Sequence, residues 1–216
     1  MLITGIRSKP VYAPLQPDLQ GRYHYMVGHG VGAGPLLRLL TQLEQAQPEA
    51  LAHTRIWYVD GAVQAGTVPA DAAASGATMD QAAAFRDLGA SDVRSFAQVD
   101  ALLDDLNAAL EQALMGMRLY VAGPESFMGL VMRIAHQFNL KQDEVRAEEC
   151  GTLARRVHCV HCRTTLEGVR TNIVQCRCNR WLVVRDHYSR RFAAYMGLMV
   201  DAEVPGELPP IKEVFL

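Results

Sequence analysis

Hydrophobic residues along this chain follow two rhythms. Short apolar runs at Tyr23–Val27, Ile56–Val59, Val93–Phe96, Arg118–Ala122 and Val145–Glu148 have the length of buried strands. Between them apolar residues recur every three to four positions. Leu36, Leu37, Leu39, Leu40 and Leu43 follow Pro35, which suits a first helical position because its missing N–H needs no partner. Leu102, Leu103, Leu106, Leu110 and Leu114 mark an amphipathic helix over Ala101–Met115. Met79–Leu88 and Glu125–Phe138 are predicted as two more helices, and Val63–Thr78 as a loop. Residues 1–21, with Pro10, Pro14 and Pro17, read as an extended arm. Strands alternating with helices of this length predict an α/β fold with a doubly wound parallel sheet.

The pattern changes near Gly151. Residues 1–150 carry 11 Lys/Arg against 17 Asp/Glu, whereas residues 151–193 carry nine arginines against Glu167 and Asp186. All five cysteines lie after position 149. Both shifts predict two domains, 1–150 and 151–216. At 216 residues, half of them hydrophobic, the chain is neither disordered nor fibrous. No apolar run is long enough for a membrane span and no charged-then-apolar leader opens the sequence, so a cytoplasmic location is expected.

The chemistry concentrates in two places. Gly28-x-Gly30-x-x-Ala33 has the form of a dinucleotide fingerprint, in which glycines let a pyrophosphate approach a helix N-terminus. Gly32 lies in the same turn, Asp60 ends the next strand, and Gly123-Pro124 break the strand at Ala122. These six residues, Gly28, Gly30, Gly32, Asp60, Gly123 and Pro124, are the candidate cofactor-binding set. A tight turn that binds nothing is the alternative. The second place is Cys159-x-x-Cys162 with Cys176-x-Cys178, four thiolates spaced for one tetrahedral ion. Four protein sulfurs leave no open position, so zinc there would be structural. Iron is the alternative ion, and His158 or His161 the alternative ligands. The segment is expected to be too small for a core of its own and to fold as two knuckles joined by a strand. Arg185, His187, Tyr188, Arg190 and Arg191 form a basic stretch suited to docking an acidic partner. The tail ending in Val214-Phe215-Leu216 is expected to pack on a neighbour.

The turn His29–Pro35 and the segment Leu119–Met128 resemble the Gly-Gly-x-Gly-x-x-Pro and Cys-Gly-Pro-x-x-Met segments of the ferredoxin reductase nicotinamide module. Val145–Glu148 resembles that module's closing strand, and the likeness spans about residues 23–150. His29 replaces its first glycine, Ala122 its cysteine, and Asp60 disfavours NADPH relative to NADH. Only some 22 residues precede the module, so no flavin barrel is expected with it. By this reading NAD(P)H binding is weak or lost, and the isolated chain is not catalytic.

Residues 157–197, with Val-Arg-Asp-His-Tyr-Ser-Arg-Arg and then Ala-Tyr-Met-Gly, resemble the C-terminal domain of the DmmA-like family of dimethylamine monooxygenase subunits. The resemblance implies a multicomponent haem-dependent oxygenase converting dimethylamine to methylamine and formaldehyde. It places the haem on a different subunit, with the flavin and iron–sulfur centres on a reductase subunit. This chain would be an auxiliary, assembly or electron-transfer-supporting component. An independent NADH-dependent oxidoreductase or iron-tetrathiolate carrier is the alternative. A zinc-ribbon nucleic-acid binder ranks third, because few aromatics interleave with the arginines.

Overall fold

A computed structural model describes residues 8–60 and 81–216. Five parallel strands form the first sheet: β1 (Tyr23–His29), β2 (Thr54–Val59), β3 (Asp92–Phe96), β4 (Met117–Gly123) and β5 (Val145–Glu149). Their order is β3-β2-β1-β4-β5, so the winding reverses between β1 and β4. Four helices cover the sheet: α1 (Ala33–Ala46), α2 (Gln81–Asp87), α3 (Val99–Glu111) and α4 (Glu125–Gln137). Every strand predicted above for this sheet is present. The Val63–Thr78 loop and the start of the Met79 helix fall outside the described residues. The helix predicted over Ala101–Met115 begins earlier and ends at Glu111.

Alternate residues of each strand explain the two helical layers. Tyr25, Val27, Trp57, Val59, Leu119 and Val121 face α3 and α4. Met26, Ile56, Tyr58, Tyr120 and Ala122 face α1 and Phe85 of α2. Continuous apolar runs are what a strand covered on both faces requires.

The chain then builds a second five-stranded sheet from β6 (Arg155–Cys159), β7 (Thr165–Val169), β8 (Ile173–Gln175), β9 (Trp181–Ser189) and β10 (Ala194–Met199), ordered β7-β6-β10-β9-β8. This corrects two expectations. Two strands, not one, separate the cysteine pairs, and the segment has an apolar cluster of its own around Val157, Val169, Val184 and Tyr195. The unpredicted β10 pairs in parallel with β6 and antiparallel with β9. It therefore sets both cysteine hairpins side by side.

The tail folds back on its own chain. Thr171 bridges Glu213, and the Leu153 N–H donates to the Leu216 carbonyl at 3.1 Å. Phe215 packs on the cluster around Tyr195.

The described part of the N-terminal arm straps the two sheets together. The Ser8 N–H donates to the Asp186 carbonyl and the Tyr188 N–H to Ser8 Oγ. Lys9 lies 3.8 Å from Glu149. Asp18 clasps the first sheet, accepting from Arg118 Nε at 2.7 Å. Burial opposes ionisation of Asp18, but the Arg118 hydrogen bond, the Gln20 N–H and the charges of Arg118 and Arg146 together outweigh it and hold the carboxyl below its ordinary range. A lowered folded pKa stabilises the fold above the unfolded value and ceases to do so as pH falls through the folded one. Asp18→Asn is thus expected to cost about 2 kcal/mol at neutral pH. The difference should close in acid, as read by urea unfolding at several pH values.

No helix among the described residues is long and apolar enough to cross a membrane.

Candidate functional site

The four cysteines meet at one end of the second sheet. Their sulfurs all lie within 4.8 Å of one another, with Cys162 Sγ 3.4 Å from Cys176 Sγ and Cys159 Sγ 3.9 Å from Cys178 Sγ. A tetrahedral ion with metal–sulfur bonds of about 2.3 Å sets its ligands roughly 3.8 Å apart, so the set fits. The same pair of backbone hydrogen bonds closes both knuckles. The Cys159 N–H donates to the Thr164 carbonyl, and the Arg163 N–H returns to the Cys159 carbonyl. The Cys176 N–H donates to the Arg180 carbonyl, and the Asn179 N–H returns to the Cys176 carbonyl. The second knuckle is the first with one residue removed. Each turns on a left-handed residue after its second cysteine, Arg163 (φ 63°) or Asn179 (φ 64°). Asparagine tolerates that conformation where glycine would otherwise serve.

Neighbouring donors bias two of the thiols, Cys162 and Cys178, toward thiolate, the form a metal binds. Hydrogen bonds from Thr164 draw Cys162 down to about 6, and the Arg180 N–H lowers Cys178. Burial pushes Cys176 up to about 12, a cost that a bound cation would offset. The two alternative ligands stand aside. The His158 ring stacks on Phe192 at 4.0 Å and its Nδ1 lies 3.3 Å from Thr165 Oγ1, while His161 is exposed.

The crevice beyond the carboxyl ends of β1 and β4 is where this topology places ligands. The residues predicted to line it do converge there, yet their small size is used by the protein itself. A Cβ on Gly32 would lie 2.2 Å from the Ala122 carbonyl oxygen. One on Gly28 would lie 2.7 Å from Leu36. Gly30 sits at φ 54° and its carbonyl accepts from the Tyr58 hydroxyl at 2.7 Å. A Cβ on Gly123, at φ 153°, would lie 3.1 Å from the Phe127 ring and 3.3 Å from His29 Cβ. The His29 ring itself packs on Phe127, 5.3 Å between centroids. Gly151 lies over Val31 and Pro124. Asp60 is exposed beside the Tyr58 hydroxyl.

The first residue of α4 is a glutamate. Glu125 is buried and accepts from the Tyr195 hydroxyl at 2.5 Å, joining the two sheets. Burial raises its pKa. Arg155, also buried, pairs with Asp186 at 2.8 Å and lies between the rings of Tyr195 and Phe215, 3.8 Å from each. Sequence reasoning missed Glu125, Arg155 and Tyr195. The one available signal was a charged residue directly after the Gly123-Pro124 break.

The basic stretch divides. His187 is exposed on β9, and Arg190 and Arg191 are exposed on the turn that follows. Arg185 is partly buried on β9. Tyr188 turns inward instead. Its hydroxyl fills the space left by Gly129 of α4 and its ring meets Tyr195, so it belongs to the contact between sheets rather than to a solvent face.

The molecule is therefore a doubly wound parallel α/β unit joined to a β-sheet whose open end carries a cluster of four cysteines that could hold a metal ion. Family models described as the N-terminal and C-terminal domains of dimethylamine monooxygenase subunit DmmA-like proteins match residues 4–145 and 156–198. The chain belongs to that family. A curated relative, the haem-dependent oxidative N-demethylase delta subunit of Ectopseudomonas mendocina (strain ymp), is 34% identical over 101 residues. That match spans 46% of this chain and 58% of the relative. Among solved structures, the chain is similar to the ferredoxin reductase of carbazole 1,9a-dioxygenase in its FAD apo form, with 16% identity and a TM-score of 0.41, over 62% of this chain and 34% of that one. It is also similar to the FAD/NAD binding domain of nitric oxide dioxygenase from Vibrio cholerae O1 biovar El Tor, with 16% identity and a TM-score of 0.40, over 66% and 56%.

Proposed function

We propose that this chain is a non-catalytic subunit of a cytoplasmic haem-dependent oxidative N-demethylase. The complex would convert dimethylamine to methylamine and formaldehyde, with haem and flavin/iron–sulfur centres on other subunits. The chain's part is assembly. A structural zinc, held by Cys159, Cys162, Cys176 and Cys178, stiffens the second sheet, and that sheet with its exposed arginines docks the partners. The family membership and the delta-subunit relative support a subunit role.

The observation that carries the non-catalytic reading is the close packing of the glycine turn on its own sheet, with the His29 ring against Phe127. His29, Phe127, Gly151 and Glu125 stand at the carboxyl ends of β1 and β4 and beside α4.

Two measurements test the reading. Titration of the purified full chain with NADH should show no saturable binding below millimolar concentrations, and a tight saturable isotherm would overturn the non-catalytic role. Co-expression with the other subunits should recover this chain in one complex with them. Recovery of the chain alone, or of an active complex lacking it, would refute the assembly role. The metal separates the redox alternative: a zinc tetrathiolate is colourless, whereas an iron tetrathiolate is red.

A further inference from the structure

A second concave surface lies between the two sheets, away from the nucleotide crevice. It is a shallow pocket of about 450 Å³. Arg133 of α4, Arg156 of β6 and Arg163 of the first knuckle wall it, and Phe192, Met196 and Val160 supply its apolar lining. No element brings these three guanidinium groups together alone. α4 belongs to the first sheet's layer, and the other two arginines come from the second.

Arg156 Nε lies 2.9 Å and 3.0 Å from the two carboxylate oxygens of Glu167, and its Nη1 donates to the Ala193 carbonyl at 3.3 Å. Glu167 is exposed, so a carboxylate supplied from outside could approach the same rim. Among the described residues, Arg133 and Arg163 have no carboxylate partner, and both are exposed. Phe192 is held flat by its stack on His158, with Arg191 over its ring at 5.6 Å. Cationic walls around a fixed aromatic surface suit a ligand with carboxylates on either side of an apolar group.

We propose that this pocket docks an acidic segment of a partner subunit, one that sets an aliphatic or aromatic side chain against Phe192 and carboxylates against Arg133 and Arg163. The proposal rests on the subunit reading above and deepens it by naming the surface and the partner's chemistry. It also gives the metal centre a purpose. The first knuckle holds Arg163 left-handed through its N–H to the Cys159 carbonyl, so the fold of the knuckle aims one of the three arginines. A shallow, open pocket gives a small anion few contacts, whereas a peptide can span the arginines.

The test uses the full chain and a fluorescein-labelled peptide of alternating glutamate and leucine, followed by anisotropy. Saturable binding that weakens with added salt is expected. A glutamine-for-glutamate peptide should not bind. Arg133→Gln with Arg163→Gln should weaken binding about tenfold or more, because the partner carboxylates lose their forks. Both positions are exposed, and an unchanged circular dichroism spectrum will confirm that the double variant is folded. Equal affinity of wild type and double variant would overturn the proposal. So would displacement of the peptide by inorganic phosphate at similar concentration, which would mark a small-anion site. Co-expression separates this from the wider reading. If the complex forms equally with the double variant and peptide affinity is unchanged, the pocket proposal falls and the subunit role stands. If the arginines bind the peptide but the wild-type chain purifies without partners, the subunit role falls and the recognition chemistry stands.

Discussion

Cys176→Ser is expected to strip the metal from the chain and unravel the second sheet from its knuckle end, leaving the first sheet folded. Cys176 is buried and packs with Cys159 and Leu182, so its thiolate has no solvent to compensate it without a cation. Binding of a structural zinc contributes on the order of 10 kcal/mol in small domains, and here that energy acts on a sheet whose own apolar cluster is small. Metal analysis should give about one zinc per wild-type chain and none in the variant. Hydrogen exchange should show amides of β6–β10 losing protection while those of β1–β5 keep theirs. A variant that retains zinc, or loses it with every amide still protected, would show that the four sulfurs do not hold the sheet.

Gly32→Ala should destabilise the first sheet by about 3 kcal/mol, because overpacking a close contact forces backbone to move. The backbone dihedral of Gly32, φ −61°, suits any residue, so the cost is purely steric. The added Cβ would sit 2.2 Å from the Ala122 carbonyl oxygen and 2.7 Å from its carbon, neither of which can swing away. Gly34→Ala is the contrast. Nothing lies within 4 Å of a Cβ there, and the position is helical. That change should stabilise the protein by about 0.5–1 kcal/mol. Urea unfolding of the two variants distinguishes a glycine kept for packing from one kept for a phosphate. Equal stabilities would mean that the turn is free to accept a Cβ and that its glycines serve a ligand.

Much of this architecture was legible because it depends on local chemistry. The parallel sheet shows in apolar runs such as Ile56-Trp57-Tyr58-Val59, which only a strand covered on both faces needs. The cysteine cluster shows in its spacing, since two short hairpins can close on one ion wherever they are brought together. The strand β10 was not legible. Ala194–Met199 has no clean alternation, and Gly197 is there because Val157 and Leu182 crowd it from neighbouring strands. Tyr188 read as part of a basic face because its neighbours are charged, yet it turns inward onto a glycine 59 positions earlier.

The sequence by itself determined the alternation of strand and helix, the change of character near Gly151, and the donor set for a tetrahedral ion. These follow from periodicity, charge and ligand chemistry, which act over a few residues at a time. Only the tertiary structure decided that the glycine turn is packed against its own sheet, that Glu125 meets Tyr195, and that Arg133 joins Arg156 and Arg163. Those facts depend on how two sheets lie against each other, and contacts between residues 70 positions apart leave no mark on local pattern.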